Sequence, residues 1–514
     1  MANSRRRRSR GADWFIARLL VVLSLFAAFV FAVSVISTGM LPLKFVLVVI
    51  AALVLLVLLV ALLTWNPRYR VRYVLGLILA VVFCVALGIG TVYVFKTIST
   101  AKTVTTTKVE TAAVGIYVPI EDANDFATVA AGYTYGILAD QDRENTDDAI
   151  AQINSEFGIS LSVRAYEGLP RLIDGLFNHE VDAIIVNSAY LGLLSEMEGY
   201  ENAASRLREV HMAHVEREVE VTVTPDGEEV PADRLTGMTD INAVSDAADT
   251  PDGLIFTMFI SGIDTRGELT DRSRSDVNII ASVNTATKQV ALISTPRDFY
   301  VPLSISGGAR DKLTHAGIYG IDASVATLEN LYDTEIPFYA RVNFTSVIDI
   351  VDAMGGINVE SEVAFTTSKA AGVVVEIEEG KNHLNGEEAL AFVRERKAFV
   401  DGDHQRGKNQ QALLTALIKK AVSPLILVQA NDIIDGIVGN AETNMSEAQI
   451  KSLIEMQLND LKGWDIESVA ASGDDSGKQY CYSYSGGPLY VCVPDESSVM
   501  SIHDRIEALL TKEK

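Results

Sequence analysis

The residues best suited to chemistry in this sequence are arginines and carboxylates in three separated segments. Arg394 and Arg396 flank a glutamate and are followed by Asp403, Arg406 and Gln410. Far upstream stand Asp264, Arg274 and Asp276, and then the adjacent pair Arg297 and Asp298. A guanidinium presents a planar fork of N–H donors that matches two phosphate oxygens, and each such bond is charge-assisted. Carboxylates among those arginines have one obvious use, which is to hold a hard cation, magnesium or manganese, against the phosphates. The set reads as a diphosphate site. A single arginine can simply balance acidic neighbours, but that reading weakens for the whole group.

The elements around these residues must bring them together. Asp264 directly follows the apolar run 254–262, Arg274 and Asp276 precede the run 277–283, and Arg297 and Asp298 follow the run 290–294. All three runs read as strands, and in α/β sheets ligands gather where strands end and loops begin. Arg394 and Arg396 lie two apart, so on an extended segment they face the same side. A helix is predicted over 405–422, stopped at Pro424, and it aligns Arg406 with Gln410 on one face. Asp403 at its start can cap it or serve the site. Lys312 sits in a loop from which it can reach a phosphate, while His315 beside it reads as a surface or capping histidine. Asp298 is a candidate base for an attacking hydroxyl, with simple pairing to Arg297 as its alternative.

Three apolar runs occupy the first hundred residues, at about 14–36, 43–63 and 73–95, each long enough to span a bilayer. A cleaved signal peptide has a single, shorter apolar core. Arg5 to Arg8 and Arg10 precede the first run, and Arg68, Arg70 and Arg72 lie between the second and third. Both basic segments are expected in the cytoplasm, which places everything after the third span outside. The chain carries a formal net charge of −24, and residues 1–100 hold eleven Lys and Arg against one Asp. The remainder is therefore strongly acidic, which argues against nucleic acid as a partner and makes a local arginine cluster an exception.

Composition shifts divide the chain into a basic tail with three spans (1–96), a tether (97–110), a small α/β accessory domain (111–225), a linker (226–252), a second α/β domain (253–425) and its C-terminal part or extension (426–514). The accessory domain resembles half of a periplasmic binding-protein-like fold and shows no catalytic set; His211 and His214 within it read as helical and lack a third metal ligand. Cys481 and Cys492 flank a Gly-Gly-Pro turn between two strand-like runs. They are expected to form a disulfide across that hairpin, with free buried thiols as the alternative.

The segments 262–266, 274–276, 295–298, 355–359 and 384–390, with the final arginine-rich stretch, resemble the LytR-CpsA-Psr family, in order, over about 254–422. The three spans and the accessory domain resemble those members that carry both. The resemblance implies an α/β/α sandwich around a central mixed sheet. It implies a membrane-anchored phosphotransferase that moves a glycopolymer (teichoic acid, capsular or another secondary polysaccharide) from a polyprenyl diphosphate carrier to peptidoglycan. By the same resemblance, Asp264 and Asp276 hold magnesium, Arg274, Arg297, Arg394, Arg396 and Gln410 contact the diphosphate, and Asp403 and Arg406 support the site. Gly407 and Asn409 depart from the family pattern, which often repeats Gln and Arg there, so the phosphate grip is expected to be weaker. The same groups would also suit a binding or regulatory protein without turnover, or a lipid diphosphatase.

Overall fold

The computed structural model describes residues 2–37, 43–66, 69–104, 109–218, 221–223, 229–231, 254–263, 272–400, 402–423, 441–445, 449–450, 453, 456–457 and 462–511. The chain forms two compact units, one containing the N-terminal helices and the other containing both α/β modules. The linker expected at 226–252 lies almost wholly outside the described residues.

Three helices open the chain: α1 (Ala2–Ser37), α2 (Leu43–Thr64) and α3 (Arg70–Val104). Their segments Trp14–Ile36, Lys44–Thr64 and Arg70–Val92 are long and apolar enough to cross a membrane. At 1.5 Å per residue each reaches roughly 30 Å, the thickness of the hydrocarbon layer. Large apolar side chains such as Phe29, Leu55 and Val85 point outward, which suits lipid and not water.

The accessory module is a five-stranded mixed sheet in the order β3-β2-β4-β1-β5. Its strands are β1 (Val109–Pro119), β2 (Thr134–Leu138), β3 (Ser162–Tyr166), β4 (Ala183–Asn187) and β5 (Leu207–Glu218). β2 runs parallel to β3 and β4, while β1 is antiparallel to β4 and β5. Successive side chains of β4 alternate between two cores, Ile184 and Val186 on one face and Ala183 and Ile185 on the other. His211 and His214 lie on β5, not on a helix, and His211 stacks on Phe126.

The second module is built on a six-stranded sheet in the order β10-β9-β6-β7-β8-β11. These strands are β6 (Ile255–Ile263), β7 (Ser275–Asn284), β8 (Gln289–Ser294), β9 (Phe338–Val342), β10 (Ala441–Thr443) and β11 (Asp465–Ala470). β6–β7 and β7–β8 pair antiparallel, whereas β6–β9 and β8–β11 are parallel. The sheet is therefore mixed, as expected, and the segment 465–470 completes it rather than extending beyond it.

Alternation along the central strands gives both faces an apolar layer. Phe259, Ile280 and Ile293 pack with Val325 and Leu328 of α4 (Ile321–Tyr332) and with Ile502 and Ile506 of α8 (Glu496–Leu510). Ile279, Ala281 and Leu292 face the other way, towards Leu414 and Ile418 of α7 (Gly402–Ala421). Helices on both faces make the α/β/α sandwich. Two more helices serve the site: α5 (Phe344–Ala353) and α6 (Gly386–Arg394), whose N-caps Asn343 and Asn385 each close a capping box.

The disulfide expectation is overturned, since Cys481 and Cys492 are free buried thiols. A turn centred on Gly486 and Gly487 would set the two cysteines opposite each other. The hairpin instead turns at Tyr482 and Ser483, between β12 (Gly473–Cys481) and β13 (Tyr484–Pro494), so Cys481 faces Tyr484. Cys492 stands eight residues further along β13, about 26 Å at 3.3 Å per residue. Cys481, Tyr484, Leu489 and Val491 pack into the same apolar core as Leu169, Leu172 and Leu194 of the accessory module.

Candidate functional site

Strand ends deliver the first part of the site. β7 begins at Ser275, which fixes Arg274 and Asp276 at its mouth. β8 ends at Ser294, and the chain leaves it through Thr295 and Pro296 to Arg297 and Asp298. A short ladder pairs Tyr300–Pro302 with Arg310–Lys312, and Thr314 N–H bonds the Arg297 carbonyl at 2.9 Å. Lys312 is thus on a strand, not in a loop, and is only 3% exposed.

These groups form one ion-pair network. Arg297 donates from Nη1 to Asp276 Oδ1 at 2.7 Å and from Nη2 to Glu196 Oε1 at 2.6 Å. Its Nε lies 3.6 Å from Asp298. Lys312 Nζ bridges Glu196 Oε2 at 2.6 Å and Asp298 Oδ1 at 3.0 Å. Arg274 Nη1 donates to Glu196 Oε1 at 2.7 Å. Asp298 is therefore held in ion pairs, the alternative to its use as a base.

The arginine-rich segment supplies the other wall. Arg394 is the last residue of α6, and its guanidinium lies 4.1 Å over the Phe344 ring. Glu395, fully buried and extended, caps the helix and accepts the backbone N–H groups of Ser368, Arg396 and Ala398. That turn sets both Arg394 and Arg396 on one cavity. Arg406 and Gln410 join them from α7, one turn apart. Asp403 lies in the first turn of α7, with its side chain outside the described residues, and Asp264 is outside them entirely.

The cavity measures about 930 Å³ and gathers Arg274, Asp276, Arg297, Asp298, Lys312, Arg394, Arg396, Arg406 and Gln410. Down α7, Arg406 and Gln410 give way to Leu413, Leu414 and Leu417, so the lining changes from charged to apolar within about 16 Å of helix. Val347 of α5 lines it too, whereas α4 belongs to the core on the opposite face. Asn409 points inward and donates to the Phe392 carbonyl, so it is not a missing member of the cationic wall.

Burial would raise the Glu196 carboxyl, but Lys312, His315, Arg297 and Arg274 more than offset it and bring it down to about 2. Asp276 is likewise held below the usual carboxylate range: burial opposes this, and Arg297, Arg274 and Arg406 prevail. Lys312 is raised, because Asp298 and Glu196 outweigh the opposing effect of burial. His315 is completely buried, contrary to a surface role, with Nδ1 2.6 Å from Asp311 and 2.9 Å from Ser483 Oγ.

A depressed carboxyl contributes stability that is complete above its unfolded value and is lost as pH falls through its folded value. Stability is therefore expected to fall from about pH 4.5 towards pH 2, with Glu196 contributing on the order of 3 kcal/mol. Thermal midpoints of the detergent-solubilised chain across this window check it. Glu196→Gln should flatten the dependence, and an unchanged slope would contradict the ion pairs.

Asp276 accepts both of its hydrogen bonds on Oδ1, from Arg297 and Thr314, and none reaches Oδ2 among the described residues. An oxygen left open on a wall of a charged cavity fits a hard cation that takes its remaining ligands from water and phosphate. The signal for Glu196, by contrast, was absent from the sequence, because it arrives from the accessory module.

The LytR_cpsA_psr family model matches residues 233–490. The polyisoprenyl-teichoic acid–peptidoglycan teichoic acid transferase TagU of Bacillus anthracis (strain CDC 684 / NRRL 3495) is 32% identical over 240 residues, covering 46% of this chain and 74% of that protein. The polyisoprenyl-teichoic acid–peptidoglycan teichoic acid transferase TagT of Bacillus subtilis (strain 168) is 38% identical over 108 residues, 20% of this chain and 33% of its own. The crystal structure of B. subtilis TagV aligns at 27% identity and a TM-score of 0.42, covering 51% of this chain and 98% of that one. With half of its length matched by the family model, the chain belongs to the LytR_cpsA_psr family.

Proposed function

We propose that this chain is a membrane-anchored transferase that attaches a glycopolymer from a polyprenyl diphosphate carrier to peptidoglycan. The observation that carries the proposal is one cavity with arginines at the strand ends and an apolar wall further down α7. A diphosphate with an isoprenoid tail has that same division. The relatives named above act, by their names, on polyisoprenyl-linked teichoic acid and peptidoglycan.

The chemistry follows from the groups present. A hydroxyl of a peptidoglycan sugar attacks the phosphorus that carries the glycopolymer. The new P–O bond forms as the bond to the polyprenyl phosphate breaks, and that leaving group departs with the electron pair. Arg274, Arg297, Lys312, Arg394 and Arg396 lie where they can neutralise the charge that grows on it. Gln410, on the same cavity, can donate a neutral hydrogen bond to the diphosphate, and Arg406 supports Asp276 electrostatically. Asp276 with Asp264 would hold magnesium, which when bound stabilises phosphoryl charge. Asp298 would take the hydroxyl proton only after release from Lys312. The basic residues ahead of the first apolar span, Arg5 to Arg8 and Arg10, and those between the second and third, Arg68, Arg70 and Arg72, favour an outer location for the α/β modules.

The lipid assignment is tested by charge in the apolar wall. Leu417→Asp should raise KM at least tenfold for a long-chain polyprenyl donor while leaving a short-chain donor within about threefold, since each buried methylene is worth ~0.8 kcal/mol. Equal effects on both donors would remove the chain from this cavity.

A further inference from the structure

Resting on that reading, we infer that Glu196 of the accessory module is a positioning residue of the transfer site, acting through Arg274. It stands on the turn Gly192–Glu196, anchored by Leu193 and Leu194, both completely buried. Its two oxygens receive hydrogen bonds from Arg274, Arg297 and Lys312, three cations from three separate segments of the catalytic module. A fourth basic group, the buried His315, places Nε2 at 3.9 Å, and that nitrogen has no hydrogen bond among the described residues.

The three cations do not depend on Glu196 equally. Arg297 is also held by Asp276, and Lys312 by Asp298. For Arg274, Glu196 is the one hydrogen-bond and ion-pair partner among the described residues. A second contact reaches the same side chain from the same turn. A Cβ added at Gly192 would lie 3.0 Å from Arg274 Nε and 3.1 Å from Cζ, so the turn also limits where the guanidinium can lie. The accessory module therefore sets one of the site's cations by charge on one side and by close packing on the other.

A low carboxyl pKa makes Glu196 a poor base, and its fixed backbone makes it a post and not a mobile occupant. The alternative is that its carboxylate fills the diphosphate seat and must leave, in which case removing it helps the donor.

A double-mutant cycle on the full chain separates these. Glu196→Gln is expected to lower kcat/KM for transfer at least tenfold, but by less than twofold in an Arg274→Ala background. Gly192→Ala keeps the charge, and its right-handed backbone accepts alanine, so it covers the case in which the Gln variant does not fold. It should lower kcat/KM severalfold with the same dependence on Arg274. Equal losses in both backgrounds, or a gain in the wild-type background, would overturn the inference. A readout without turnover keeps it separate from the transferase proposal. Phenylglyoxal modification of Arg274, followed by peptide mass in detergent micelles, should quicken at least threefold in Glu196→Gln; an unchanged rate overturns the inference even if no transfer is seen. Absence of transfer by the wild-type chain would instead count against the proposed function.

Discussion

Arg297→Ala is expected to lower kcat/KM for glycopolymer transfer by at least a hundredfold, and Arg297→Lys to recover little of it. The guanidinium spans two carboxylates, Asp276 and Glu196, through separate nitrogens. Lysine keeps the charge but offers one point, so it cannot hold both and also face a phosphate. Removing a preorganised donor to transition-state charge costs roughly 10²–10³ in rate. Truncation also strands two largely buried anions, at a cost of up to about 3–5 kcal/mol of stability. Rates must therefore be normalised to folded protein by circular dichroism. A surface arginine that only balances an acidic domain would show none of this, and a wild-type rate in the lysine variant would remove the fork from the mechanism.

Asp276→Asn carries the second large effect. Asparagine keeps the size and can still accept from Thr314, but it loses the charge that pairs with Arg297 and that a hard cation requires. Transfer is expected to drop by at least a hundredfold and not to return when magnesium is raised. The check is a magnesium titration of transfer in both proteins. Coincident titrations would show that Asp276 neither holds the metal nor orders the arginines.

Much of this site could be read before any coordinates. Arg274, Asp276, Arg297 and Asp298 meet because they sit at the mouths of β7 and β8, and apolar runs mark strand ends well. Arg406 and Gln410 meet through helical spacing. Glu196 could not be read, since it is 78 residues before Arg274, in a separate module, with no local pattern linking them. The cysteines misled because Gly-Gly-Pro is a strong turn signal. Here it lies inside β13, and the true turn is made by Tyr482 and Ser483, with the Ser483 N–H bonded to Asp311 at 2.6 Å. His315 looked superficial because its burial depends on that hairpin folding over it. Each failure came from contacts between distant segments, which periodicity does not encode.

The central claim is transfer itself, and it is tested by following label from a polyprenyl diphosphate-linked glycopolymer into a peptidoglycan oligomer with the full-length protein. The account predicts acceptor-dependent appearance of labelled oligomer, matched by release of polyprenyl phosphate. Release that proceeds equally without the oligomer would make the protein a diphosphatase, and donor binding with neither product would make it a binding protein; either result contradicts the account.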